Sequence, residues 1–181
     1  MDRTRADSIG MLATVMNSLA LQETFLQLGI DARVQSAVQI TGVVETFNKD
    51  SAVRHLEKGR LVIFAGGISP AVEGEEMPVS IPGFKGGDRT TIELPEIQTN
   101  LLRELKKAGK RVVFVNYSGS ALALAREAEL CDAILQAWYP GQAGGTAVAD
   151  VLLGNYNPAG RLPITFYKST AQLPDFEDYS M

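Results

Sequence analysis

Leu61-Val62-Ile63-Phe64-Ala65 is an unbroken apolar run that ends on Gly66-Gly67. The run has the length of a strand, and a strand apolar on both sides must be covered on both faces. Strands of that kind belong to parallel sheets with helices above and below. Upstream, residues 50–58 read as a short helix closed by Gly59, and residues 32–40 alternate apolar and polar as a strand does. Further upstream Leu12, Val15, Leu19 and Leu26 recur at helical steps. Residues 10–28 therefore read as a helix, with Asp7 or Ser8 as its cap and Gly29 as its left-handed stop.

Downstream, residues 66–94 are rich in glycine and proline and carry no helical period, so they read as a long loop of the kind that is functional or disordered. Pro95 is placed to open a helix that runs to Gly109. Residues 112–115 and 133–138 read as buried strands, and residues 121–129 and 145–153 as helices. Asn157-Pro158-Ala159-Gly160 is a turn. Residues 162–166 read as a last short strand, which Pro163 confines to a sheet edge. Residues 168–181 are acidic and aperiodic, a loose tail. The alternation predicts an α/β fold: a three-layer α/β/α sandwich around a mostly parallel sheet of about five strands, Rossmann-like or flavodoxin-like.

Composition bounds the partners. The 181 residues carry 17 Lys and Arg against 21 Asp and Glu, a net charge of −4, with 45% hydrophobic and 21% charged residues. That is enough apolar side chain for a core without disulfides, and no basic footprint for nucleic acid. A lone cysteine, Cys131, forms no internal disulfide and fits a cytoplasmic setting. No apolar run is long enough to span a membrane, and Met1-Asp2-Arg3 does not start a signal peptide. With one histidine and one cysteine, no metal site is expected. Gly141-Gln142-Ala143-Gly144-Gly145 could cradle an anion at a helix start, although tight turns use glycine for geometry alone. Ser118-Gly119-Ser120 lacks the spacing of a nucleophile elbow. His55, beside Arg54 and Lys58, reads as part of a solvated helix face. No cofactor and no obligatory partner is expected.

Two resemblances add to this. Asp7-Ser8-Ile9-Gly10-Met11-Leu12-Ala13-Thr14-Val15-Met16-Asn17, Arg33-Val34-Gln35-Ser36-Ala37 and residues 54–65 resemble the middle of bacterial uridylate kinases, of the amino-acid-kinase fold. That likeness implies that Asp7 holds uridylate; the alternative for Asp7 is a simple N-cap. The family's N-terminal phosphate loop is not in the sequence, and Gly66-Gly67-Ile68-Ser69-Pro70 stands where its Thr-Gly-Asn-Pro would be. From Val62 onward, the sequence resembles the C-terminal α/β sandwich domain of glycoside hydrolase family three, the β-xylosidases and β-glucosidases. The residues that carry this are Ala65-Gly66-Gly67-Ile68-Ser69-Pro70, Glu73-Gly74-Glu75-Glu76, Gly83-Phe84-Lys85-Gly86-Gly87-Asp88-Arg89, Gln136-Ala137-Trp138-Tyr139-Pro140-Gly141-Gln142 and residues 157–166.

A glycosidase needs two carboxyls about the scissile bond, one of them kept protonated. Glu73, Glu75 and Glu76 are clustered in the expected long loop, where mutual repulsion could raise the pKa of one of them. The resemblance implies that Glu75 is the acid/base residue, with Glu73 as the alternative, and that Asp88 and Arg89 contact substrate. In that family the nucleophile comes from a separate barrel, and without it the bland alternative is a solvated acidic loop. The two likenesses meet in Leu61–Ala65. Together they imply an engineered chimera: one domain over 1–181 built from fragments 1–65 and 66–181, with neither active site complete and no catalysis expected. The alternatives are a C-terminal fragment of a β-xylosidase or β-glucosidase that supplies the acid/base glutamate, and residual uridylate binding. An unpaired sheet edge would favour a homodimer. Leu61–Ala65 is expected at the centre of the sheet, among the most buried segments.

Overall fold

The structure is a computed structural model and describes residues 3–37, 39–65, 84–85, 88–175 and 178. The chain forms two compact units, Met1–Glu75 with Tyr139–Ala159, and Glu76–Trp138 with Gly160–Met181. Helices and mostly parallel strands make both, an α/β fold.

The first unit opens with helix α1 (Arg3–Gln27), followed by strands β1 (Ala32–Ser36) and β2 (Glu45–Thr46), helix α2 (Lys49–Glu57) and strand β3 (Leu61–Ala65). β2, β1 and β3 make a parallel sheet in that order, with Val34 opposite Ile63 and Ser36 opposite Ala65. One face of this sheet is apolar and meets α1: Val15, Val34 and Ala65 form a buried cluster lined by Leu19 and Ile63. Phe64 points the other way, where its ring meets Phe47 edge to face at 5.6 Å. Strand alternation is the reason for this division. α2 is capped by Asn48, whose side-chain oxygen accepts the Ser51 amide at 3.0 Å. Much later in the chain, α5 (Gly144–Leu152) packs along α1. The approach is so close that a Cβ on Gly145 would lie 2.8 Å from Cβ of Ala20.

The second unit holds a short antiparallel pair, β4 (Phe84–Lys85) with β5 (Asp88–Arg89), then helix α3 (Glu96–Lys107), strand β6 (Val113–Asn116), helix α4 (Ala125–Leu130) and strand β7 (Ala133–Gln136). β6 and β7 pair in parallel, and α3 packs on α4. Residues 170–172 make a single 3₁₀ turn.

Several expectations are corrected. Among the described residues β3 is the edge of a three-stranded sheet and β1 the middle strand; Ala32, Val34, Gln35 and Ser36 are buried in β1, but only Ala65 in β3. A continuous apolar run signals two covered faces, and says nothing of which neighbours the strand pairs with. α1 starts at Arg3, so Asp7 sits inside the helix and does not cap it. Residues 121–124 are not helical, because the Ala123 amide is taken by the Ile92 carbonyl at 2.8 Å in a bridge to 92–93. β7 stops at Gln136, and Trp138 takes φ 54°, a left-handed conformation that no strand continues through. Residues 162–166 join no ladder, and Leu162 and Ile164 are exposed.

Candidate functional site

The sequence-predicted carboxylates divide by what is described. Glu73 and Glu75 lie outside the described residues. Asp88 and Arg89 form β5, with Asp88 opposite Lys85 and Arg89 opposite Phe84, and their side chains lie outside the description. Asp7 is on α1, and its side chain lies outside it as well.

Within the second unit, the segment after β5 is fastened by Glu93. Its Oε1 accepts the Thr170 amide at 2.8 Å and its Oε2 accepts the Thr170 hydroxyl at 2.5 Å, while that hydroxyl accepts the Ile92 amide at 3.0 Å. The bond from the Thr170 hydroxyl holds the Glu93 carboxyl below the usual glutamate range. Glu93 is thus spoken for: it anchors the tail and is not poised as a proton donor.

A second group joins α3 to α4. Arg126 donates to Glu96 at 2.7 Å and to the Leu94 carbonyl at 3.3 Å, and the Glu96 carboxyl is lowered by that guanidinium. Glu127 is fully buried; its Oε1 accepts the Thr99 hydroxyl at 2.5 Å, and its Oε2 has no hydrogen-bond partner among the described residues. A third group closes the carboxyl ends of β6 and β7. The Asn116 amide donates to the Ser118 hydroxyl at 3.0 Å and to Gln136 Oε1 at 2.6 Å. Beside it the Tyr117 hydroxyl is buried without a hydrogen-bond partner among the described residues, and burial pushes its pKa up. Trp138 follows, edge to face with Phe166 at 6.0 Å. A strained aromatic residue at the end of a parallel strand is the sort of feature that clusters at sites.

His55 differs from its reading as a solvated residue. Its side chain is 13% exposed; Nε2 faces Glu45 at 3.0 Å, and Nδ1 faces the Arg60 guanidinium at 3.1 Å. Arg60 also donates to Asp31 at 2.7 Å. Asp31, Glu45 and Arg60 are spread over thirty positions, so no local motif announces the group. Burial pushes the Cys131 thiol up, away from a reactive thiolate. Among the described residues, no three His, Cys, Asp or Glu side chains are grouped to hold a metal, and no helix is long and apolar enough to cross a membrane.

Comparison with known proteins places these features. A xylan 1,4-β-xylosidase of Xylanibacter ruminicola is 70% identical over 120 residues, 66% of this chain and 14% of that protein. A periplasmic β-glucosidase of Salmonella typhimurium is 40% identical over 125 residues, 69% of this chain and 15% of that one. The chain therefore spans about a seventh of these relatives. The crystal structure of β-glucosidase from Listeria innocua in complex with glucose aligns with 80% of this chain and 24% of its own, at 25% identity and a TM-score of 0.51. The likeness to the UMP kinase of Ureaplasma parvum reaches a TM-score of only 0.40 and carries no argument. The sequence profile described as glycosyl hydrolase family 3 C-terminal domain matches residues 7–181, straight through Leu61–Ala65. An engineered splice at that strand finds no support in such a match. Covered by this profile over nearly its whole length, the chain belongs to the glycosyl hydrolase family 3 C-terminal domain family.

Proposed function

We infer that the chain serves as the C-terminal α/β portion of a β-xylosidase-type glycosidase and supplies the acid/base glutamate to a barrel that brings the nucleophile. The observation that carries this is the 70% identity to a protein named as a xylan 1,4-β-xylosidase, against 40% to a β-glucosidase. Glu75 is the acid/base residue, with Glu73 as the alternative, and Asp88 and Arg89 contact the sugar. In a retaining glycosidase two carboxyls lie about 5–5.5 Å apart; one attacks the anomeric carbon, and the other protonates the leaving oxygen and then activates water. Alone the chain has no nucleophile to offer and is expected to be inactive. The test mixes it with an isolated barrel of such a relative and an aryl xyloside. Hydrolysis above the barrel alone, abolished by Glu75→Gln, is expected; no gain overturns the reading. Cytoplasmic residence stays part of the proposal, and fractionation of an expressing cell checks it against the periplasmic location in one relative's name.

A second reading has its own observation: the 70% identity extends over 66% of the chain, and residues 2–65 carry the uridylate-kinase-like motifs. On it, two recombined fragments share β3 and Asp7 retains uridylate binding. Calorimetry with uridylate tests it, and no heat at millimolar concentration removes it. The family match over 7–181 favours the first reading. β3 pairs with β1 alone among the described residues, and a homodimer through that edge would show in sedimentation.

A further inference from the structure

His55 is the chain's one histidine, and the groups around it decide which ring nitrogen carries the proton. Nδ1 stands 3.1 Å from the Arg60 guanidinium, and a guanidinium only donates, so Nδ1 must accept with its lone pair. The proton of the neutral ring is then on Nε2, which faces Glu45 Oε2 at 3.0 Å and the Ser51 hydroxyl at 3.5 Å. Gln35, fully buried, donates its side-chain amide to the same Glu45 oxygen at 3.2 Å and holds that acceptor in place. Arg60 is tied on its far side. Its Nε donates to Asp31 at 2.7 Å, and Arg33 of β1 donates to the other Asp31 oxygen at 2.5 Å. The imidazole thus joins the last turn of α2 to the residue before β3 while Nδ1 is bare. Histidine is the side chain that changes charge between about pH 5 and 8. Protonation makes Nδ1 a donor facing a donor and sets two cations in contact. Along α2 and its cap, the exposed Arg54 and Lys58 add positive charge, and Asp50 and Glu57 negative charge. The Nε2 side meets no conflict, since a carboxylate accepts more strongly from the charged ring than from the neutral one.

We propose that His55 is a protonation-released joint: neutral, it clamps Arg60 to α2; protonated, it keeps Glu45 and leaves Arg60 to Asp31 alone. The joint stands whether or not the glycosidase reading does, because all of its groups lie within the first unit. The test is nitrogen-15 NMR of the full chain between about pH 8 and about pH 5, where the single imidazole gives unambiguous ring signals. At the upper pH the ring should show a protonated Nε2 and a bare Nδ1. On acidification the Arg60 guanidinium signals should move with the same midpoint as the ring. The amides of Lys58, Gly59 and Arg60 should move with them, because they close the end of α2 on the Arg54, His55 and Leu56 carbonyls. β1 and β3 should keep their dispersion throughout. His55→Gln, which has no ring to protonate, should abolish the step. Should that variant lose its dispersion, Arg60→Leu serves in its place: the ring still titrates, and the Gly59 step should shrink because there is no guanidinium to release. A proton on Nδ1 at the upper pH would overturn the joint. So would Arg60 signals indifferent to the ring's titration, an undiminished step in the variant used, or loss of dispersion across β1 and β3 at the lower pH.

Discussion

Replacing Gly145 with alanine places a methyl group where α1 already stands. The added Cβ would lie 2.8 Å from both the carbonyl carbon and Cβ of Ala20, and 2.9 Å from the Leu21 amide nitrogen. Carbon atoms in good contact sit about 3.5–4.0 Å apart, so the two helices must part by roughly 0.7–1.2 Å along their contact. Two of the three neighbours are backbone, which cannot swing aside as a flexible side chain does. Overpacking of this kind costs about 1–3 kcal/mol. Alanine in place of a helical glycine returns about 0.5–1 kcal/mol. Taking the middle of both ranges, the net expectation is a loss of about 1 kcal/mol, or a melting point lower by roughly 2–5 °C for a chain of this size. Urea unfolding followed by circular dichroism reads it, with Thr146→Ala on the exposed side of the same helix as the comparison. A Gly145→Ala protein as stable as wild type would refute the close α1–α5 contact. Adding Ala20→Gly removes one of the crowded atoms but puts a glycine inside α1, so the relief should show as a favourable coupling energy in the double-mutant cycle.

Other outcomes follow from the same description. Thr99→Val removes the donor to the buried Glu127 carboxylate and should cost about 1–3 kcal/mol; an unchanged urea midpoint would mean that the bond contributes nothing. Asn48→Ala should cost about 1 kcal/mol through loss of the α2 cap, and Asn48→Asp should restore most of it in the same assay. Because the folded-state pKa of Glu93 is depressed, its contribution is present above the unfolded-state pKa and disappears as pH falls through the folded one. The protection factor of the Thr170 amide, taken against its intrinsic exchange rate at each pH, should therefore fall as the pH drops below the usual glutamate range. Glu93→Gln should flatten that dependence.

Helix ends were the most legible part of the chain. Gly29, Gly59, Gly109 and Gly154 each take a positive φ, 67° to 78°, just past α1, α2, α3 and α5. A left-handed residue after a helix is a local requirement, and glycine meets it without help from tertiary structure. Strand order was not legible, because it depends on partners distant in sequence: Leu61–Ala65 is more uniformly apolar than Ala32–Ser36, yet the latter holds the middle of the sheet. Composition misled at 121–124, where alanine and leucine favour a helix but a bridge to 92–93 claims the backbone first. His55 differs from its solvated reading because its acidic neighbour Glu45 arrives from β2 and its basic neighbour Arg60 from the residue before β3. Of the candidate site, the carboxylate cluster was read from loop composition and resemblance. The Glu93–Thr170 fastening spans 77 positions and left no trace in any short motif.

The packing of α5 on α1 also sets a timetable at the ribosome. The last residue of α1 is Gln27 and the first of α5 is Gly144, a separation of 144 − 27 = 117 positions. At about 5–20 residues per second, translation leaves α1 without its helical partner for roughly 6–23 s. The sheet strands emerge within that interval and can shelter the side of α1 that carries Val15. The Ala20 flank must wait for Gly145. A nascent chain stalled between β3 and α5 should therefore recruit hydrophobic-surface chaperones through this flank, and release them once α5 has cleared the exit tunnel.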